Sequence, residues 1–211
     1  MTSKSIGPSD ALLIIDVQND FCSGGALAVR DGEQVVSTIN RLSPKFQAVV
    51  ATQDWHTPRH NSFASDHHGK APFQTTELAY GTQVLWPDHC VQGTQGAEFH
   101  PALDLVHCQM IVRKGFRPGI DSYSAFVEND KKTTTGLAGY LKERGIKRVF
   151  LTGLATDFCV FYSAMDARAD GFEAVLVEDA CRAIDLDGSL AAARKAMAEA
   201  GVAVMKSGAI G

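Results

Sequence analysis

A cysteine stands at position 159 in the stretch LTGLATDFCVFYSAMDA (151–167), just past the point where an apolar strand pattern gives way to a helical one. A thiol in the first turn of a helix faces unpaired backbone N–H groups and the positive end of the helix dipole, and both favour the thiolate. Thr156 is placed to cap that helix and Asp157 to open it. The N–H groups of Ala155 and Cys159 could then meet the negative oxygen that forms when a thiolate attacks a carbonyl. The plainer reading is a packing thiol, the commoner fate of a free cysteine. A nucleophile also needs a proton acceptor, and all seven histidines lie between His56 and His107, far from the cysteine in the chain. Asp16 and Lys114 are the alternatives, each closing an apolar run. A carboxylate can take the thiol proton and later give it to a leaving amine, while an ammonium holds the carboxylate's charge and orientation. Either residue alone reads equally well as a solvated strand-end charge, so the chemistry requires that the three converge.

TQDWHTPRH (52–60) carries a second kind of signal. In extended backbone, residues two apart point the same way, so Asp54 and His56 can face one ion together. Asp-x-His is weak by itself and needs a third ligand. LWPDHCVQGT (85–94) offers His89 in a loop framed by Pro87 and Gly93, and His60 competes with it. His67 and His68, in SDHHGK, read as exposed residues of a lid. One carboxylate and two imidazoles suit zinc first, or iron or manganese, and leave positions open for water or substrate. Phe21, Trp86 and Tyr123 stand near these candidates and could wall a planar ligand, although most aromatic residues simply pack.

Elements that could gather such scattered residues are visible in the apolar pattern. ALLIID (11–16), QAVVATQD (47–54), CQMIVRK (108–114), KRVFLTGLA (147–155), FEAVLVED (172–179) and VAVMKS (202–207) read as buried strands. Helices are expected in GEQVVSTINRL before Pro44, over about 135–144, from Asp157 to about Asp170, and in DGSLAAARKAMAEAG up to Gly201. No clean period runs from Thr57 to Gln83, and the span of about 54–90 reads as a metal-site and lid loop. Alternation of strand and helix predicts an α/β fold: three layers, α/β/α, with a Rossmann-like, mostly parallel sheet of about six strands. Ligands bind such sheets at the carboxyl ends of the strands, where Asp16, Asp54, His56, Lys114 and Ala155 all fall.

The 211 residues carry 24 acidic and 20 basic side chains, interspersed rather than blocked, and no composition shift divides them. One domain spanning 1–211 is expected, with no basic stripe for nucleic acid. MTSKSIGPSD has no apolar core of signal-peptide length, no segment is apolar enough to span a membrane, and the chain reads as cytoplasmic. Five cysteines without a close-spaced pair argue against a disulfide framework or a Cys-x-x-Cys site. No Gly-rich phosphate loop is present. A homo-oligomer is compatible with everything in the sequence.

Taken in order, LLIIDVQNDFCSGGALAV, ATQDWHTPRHNSFAS, LWPDHCVQGTQGAEFHP, VRKGFRPGIDSYSAF and LTGLATDFCVFYSAMDA resemble the isochorismatase-like cysteine hydrolases, and among them the bacterial nicotinamidases. The resemblance implies a catalytic triad of Asp16, Lys114 and Cys159, and metal ligands Asp54, His56 and His89. It implies that Phe21 and Trp86 sandwich a pyridine ring, with Tyr123 and Leu154 lining the substrate site. It further implies a cis bond at Leu154-Ala155 beside an oxyanion hole formed by Ala155 and Cys159. Some relatives carry histidine where this chain has Phe158. The implied reaction is hydrolysis of the amide of nicotinamide through a thioester, with one divalent metal, in NAD salvage, and with pyrazinamide as a further substrate. The alternatives are hydrolysis of another small ureido or carbamoyl amide by the same triad, and a metal-water hydrolase in which Cys159 only packs.

Overall fold

The computed structural model describes residues 5–211. Its strands are β1 (Asp10–Ile15), β2 (Ala48–Asp54), β3 (Thr75–Leu78), β4 (Gly81–Val84), β5 (Met110–Lys114), β6 (Arg148–Leu154), β7 (Glu173–Arg182) and β8 (Ala203–Met205). Its α-helices are α1 (Val35–Leu42), α2 (Leu137–Glu143), α3 (Cys159–Ala169) and α4 (Ser189–Glu199). Six strands form one parallel sheet in the order β5-β2-β1-β6-β7-β8. Both faces of the central strands are covered, which is why β1 and β2 are apolar runs rather than alternating ones and are buried at every residue. Leu12, Ile14, Val49, Ala51 and Phe150 face α1 through Val35, Val36, Ile39 and Leu42. Leu13, Ile15, Val50, Val149 and Leu151 face the other way, onto Leu137, Leu141, Val160, Ala164, Ala193 and Met197 of α2, α3 and α4. Each such Leu, Ile or Val contributes about 1.5–3 kcal/mol by leaving water. The expected three-layer architecture is what forms.

Strand order turns around between β1 and β6: the chain runs from β1 outward to β2 and β5, then returns to β6 and runs the other way to β8. A crevice opens at the carboxyl ends on either side of such a reversal. Asp16 leaves β1 on one side of it and Ala155 leaves β6 on the other. Register does the rest, because Asp54 pairs directly with Lys114 and Ile15 with Gly153.

Local expectations need three corrections. Pro44 does end α1, but the chain continues through a 3-10 turn, Ser43–Lys45. Helix α3 begins at Cys159, not Asp157, and Phe158 is its N-cap, without any side-chain capping bond; Thr156 does not cap it. Asp157 faces away from the helix, and its carboxylate accepts the N–H groups of Ile184 and Asp185 (3.0 and 2.7 Å) and the hydroxyl of Ser189. The span expected to lack regular structure contains the antiparallel hairpin β3–β4. Its strands are four residues each and mostly solvent-facing, so no buried face imposed an alternation on the sequence. No helix among the described residues is long and apolar enough to cross a membrane.

The close approach of β6 to β1 at the crevice depends on Gly153, whose φ is +105° and whose missing Cβ would meet the backbone of Ile15. Gly153→Ala should therefore destabilise the protein by about 3 kcal/mol, seen as a lowered urea midpoint at unchanged m-value.

Candidate active site

Four side chains from four segments meet under the crevice, all withdrawn from water: Asp16, Asp54, Lys114 and Cys159. Lys114 Nζ lies 2.8 Å from Asp16 Oδ2, bonds Asp54 Oδ1, donates to the Ser122 carbonyl at 2.8 Å and stands 3.5 Å from Cys159 Sγ. Asp16 leaves β1 with a φ of +47°, a conformation that aspartate tolerates better than most residues. The turn sends its carboxylate inward, where Thr52 Oγ1 donates to Oδ1 at 2.6 Å and accepts the Asp16 N–H at 3.1 Å. Candidate ligand atoms of Asp16, Asp54 and Cys159 all lie within 4.8 Å of one another.

Electrostatics separates these groups. Burial pushes the Asp16 carboxyl up to about 6; Lys114 opposes the rise and the charge of Asp54 adds to it. Burial would raise Asp54 as well, but Lys114, His56 and His89 outweigh it and hold the carboxyl below the usual range. Burial opposes the charge on Lys114, yet the two carboxylates prevail and keep it an ammonium. Burial pushes the Cys159 thiol well up, with only Lys114 pulling against it, so the resting sulfur keeps its proton.

Asp54 turns its second oxygen to the two imidazoles. Oδ2 is 3.7 Å from His56 Nε2 and 3.9 Å from His89 Nε2, too far for hydrogen bonds and suited to ligands around a common ion. The Nδ1 atoms of His56 and His89 lie 2.9 Å from the Gly115 carbonyl and 2.8 Å from the Pro87 carbonyl. Those acceptors place a proton on each Nδ1 and leave the Nε2 lone pairs facing the carboxylate. Burial and the neighbouring His56 push His89 down to about 4, the neutral form that a metal takes. For His56 burial is outweighed by Asp54, which raises it: the cluster lacks a positive charge beside Oδ2. Three converging lone pairs and that deficit fit a divalent cation. His60 lies beside His56, with ring centroids 4.5 Å apart, but its nitrogens are spent on Ser62 Oγ at 2.8 Å and the Arg117 carbonyl at 2.9 Å.

A cavity opens above these groups, walled by Phe21, Trp86, Tyr123, Phe158 and Ile184 and floored by Asp54, His56, His89, Ala155 and Cys159. Phe158 packs edge-on to Trp86 at 4.9 Å and to Tyr123 at 5.7 Å, so it is a wall residue. The Leu154-Ala155 peptide is cis, as expected. Ala155 O accepts from the N–H groups of Phe158 and Val160, both at 3.1 Å. The N–H groups of Ala155 and Cys159 have no acceptor among the described residues.

Sequence reasoning placed Asp16, Lys114 and Cys159 together, and Asp54, His56 and His89 together, and the fold does the same. Leu154 differs: its side chain is fully buried in the core and lies outside the cavity lining, because it ends a strand whose residue there points inward. His68 is exposed, whereas His67 is half-buried and its Nε2 lies 2.8 Å from the Asn61 carbonyl. Residues not singled out in advance also shape the site. The Gln18 amide pins Asp54 from both sides of its peptide, donating to Asp54 O and accepting from its N–H, each at 2.8 Å. Asp20 accepts the Cys90 N–H at 2.7 Å and so fixes the loop that carries His89. Asp121 is buried in the cavity lining next to His56 and His60. The adjacency of Gln18 and Asp20 to Asp16 in DVQND was the available signal.

The chain is similar over most of its length to proteins already characterised. The family model described as Isochorismatase domain matches residues 10–209. A nicotinamidase of Acinetobacter baylyi is 57% identical over 192 residues, which cover 91% of this chain and 90% of that protein. A solved nicotinamidase-pyrazinamidase of Acinetobacter baumanii superposes with a TM-score of 0.95 at 54% identity, covering 96% of this chain and 98% of the other. The zinc complex of a pyrazinamidase from Pyrococcus horikoshii superposes with a TM-score of 0.77 at 34% identity, covering 94% and 99%.

The lone-pair geometry predicts that His89→Ala weakens the binding of a divalent ion by more than the 10–100-fold, roughly, that loss of an outer hydrogen-bond partner costs. Metal analysis after dialysis against graded chelator measures the change.

Proposed function

This chain belongs to the isochorismatase family, and on that footing we propose that it is a nicotinamidase, a hydrolase that converts nicotinamide to nicotinic acid and ammonia. The observation that carries the mechanism is the buried meeting of Cys159, Asp16 and Lys114 at the floor of an aromatic-walled cavity. Phe21 and Trp86 hold the planar ring, and Tyr123 and Phe158 close the remaining sides. The cavity also suits pyrazinamide, which exchanges one ring CH for nitrogen. Asp54, His56 and His89 would hold a divalent ion, zinc by their donor set, with Lewis acidity toward a substrate lone pair as its chemistry there.

The protein's own groups carry the proton and the bond changes. Asp16, raised to about 6, is a base strong enough to take the thiol proton once the amide carbon is held against Sγ. Lys114, 3.5 Å from Sγ, stabilises the thiolate that results. Sulfur attacks the carbonyl carbon, and the N–H groups of Ala155 and Cys159 receive the oxyanion. Asp16 returns its proton to the nitrogen as the C–N bond breaks, and ammonia leaves. Asp16 then takes a proton from water as the water oxygen attacks the thioester, and the acid departs while the thiol is re-formed and reprotonated. Nicotinic acid so produced feeds NAD salvage in the cytoplasm.

Ammonia release from nicotinamide tests the reading. Cys159→Ala should lower kcat by about 10⁴-fold or more, and a quenched wild-type reaction should contain the nicotinoyl thioester by mass spectrometry. Near-normal turnover by Cys159→Ala would transfer the reaction to metal-activated water and reduce Cys159 to packing.

A further inference from the structure

Gln83, on β4, neither touches the catalytic groups nor lines the cavity itself, yet only 1% of its surface is exposed. Among residues 75–84, the hairpin itself, it is the one buried residue. A two-stranded hairpin is marginal alone, so its seat on the domain rests on few contacts. The amide of Gln83 makes three of them, to Asp121, Tyr123 and Asn129. Its Nε2 lies 2.8 Å from Asp121 Oδ2, 2.8 Å from Tyr123 Oη and 2.7 Å from the Val84 carbonyl. Its Oε1 accepts from Tyr80 Oη at 3.0 Å and from Asn129 Nδ2 at 3.2 Å. Asn129 in turn accepts the Tyr123 N–H at 3.0 Å, and Tyr123 Oη accepts from Trp86 Nε1 at 3.1 Å.

The network therefore joins two of the segments that supply the cavity's aromatic walls, one through Trp86 and the other through Tyr123. We infer that Gln83 is a positioning residue for substrate binding: its amide sets Tyr123, and through Tyr123 the indole of Trp86, at the spacing that grips the ring. The inference rests on the nicotinamidase reading and deepens it. Neutral hydrogen bonds to a wall act on the ring, which changes little during the reaction, whereas the triad acts on the carbon that does. Loss of Gln83 should thus weaken ground state and transition state alike, raising KM and sparing kcat.

Steady-state kinetics on nicotinamide with wild type, Gln83→Leu, Tyr123→Phe and the double variant tests this, with circular dichroism and thermal melting as fold controls. Gln83→Leu should raise KM about tenfold with kcat within about twofold. The double variant should fall well short of the product of the single KM effects, because both changes break into one network. Should Gln83→Leu fail to fold, Tyr80→Phe removes a single half-buried hydroxyl from Oε1 and should raise KM by about two- to threefold. An active wild type with unchanged KM in the folded variants, a fall confined to kcat, or fully multiplicative KM effects would each overturn the role. A wild type that releases no ammonia from nicotinamide would overturn the underlying reading and this inference with it.

Discussion

The structure turns on one buried ammonium shared by two carboxylates. Lys114 is fully enclosed, and taking such an ion out of water costs several kcal/mol unless partners replace the lost hydration. Asp16, Asp54 and the Ser122 carbonyl supply those partners, from three different segments. The parallel register that pairs Asp54 with Lys114 and the left-handed turn that swings Asp16 inward are both conditions of that pairing. Without Lys114 the two carboxylates would repel across a dry interior, and Cys159 would have no cation near its sulfur. The ion pair is thus at once the cost of building the site and the reason its members stay in place.

Asp54 ties this pair to the imidazole cluster. One of its oxygens bonds Lys114 and the other faces His56 and His89, so neither half of the site can be repositioned alone. A single ammonium between two carboxylates also leaves the group short of positive charge. The upward push on His56 expresses that shortage, since an imidazole buried there should otherwise lose its proton readily. A cation between Asp54, His56 and His89 answers the same demand, and the carbonyls behind each imidazole have already turned the Nε2 lone pairs toward it. Gly115 contributes twice: its carbonyl orients His56, and its φ of +65° with no Cβ leaves room for the ring.

Much of this was legible in the sequence because strand ends announce themselves. An apolar run that stops at Asp16, Asp54 or Lys114 states both the burial of the strand and the place where its charge emerges, and a parallel sheet brings such places to one rim. Residues that work through amide or backbone hydrogen bonds carry no comparable mark. Gln18 and Gln83 look like ordinary polar residues, and the partners that tie them to the site lie 36 to 79 and 38 to 46 residues away. The hairpin β3–β4 was hidden for a related reason, since strands that face solvent have no periodic apolar side to betray them. Thr156 misled in the opposite sense: a good capping residue stood at the right distance, but its own N–H bond to the Arg182 carbonyl commits that segment to β7 rather than to the helix.

In the proposed mechanism the same two carboxylates divide the work between base and ligand. Both are buried to the same degree and both touch Lys114, so burial and proximity to the ammonium do not distinguish them. The difference lies on their far sides. Asp54 has two imidazoles there and is driven below the usual carboxylate range, which makes it a permanent anion fit to be a ligand. Asp16 has only the Thr52 hydroxyl beyond the ion pair, feels the charge of Asp54, and rises to about 6. Environments that push like groups apart assign them different work. Asp16 can bind and release a proton near neutral pH while Asp54 cannot, which is why the proposed mechanism gives the proton from Cys159 to Asp16.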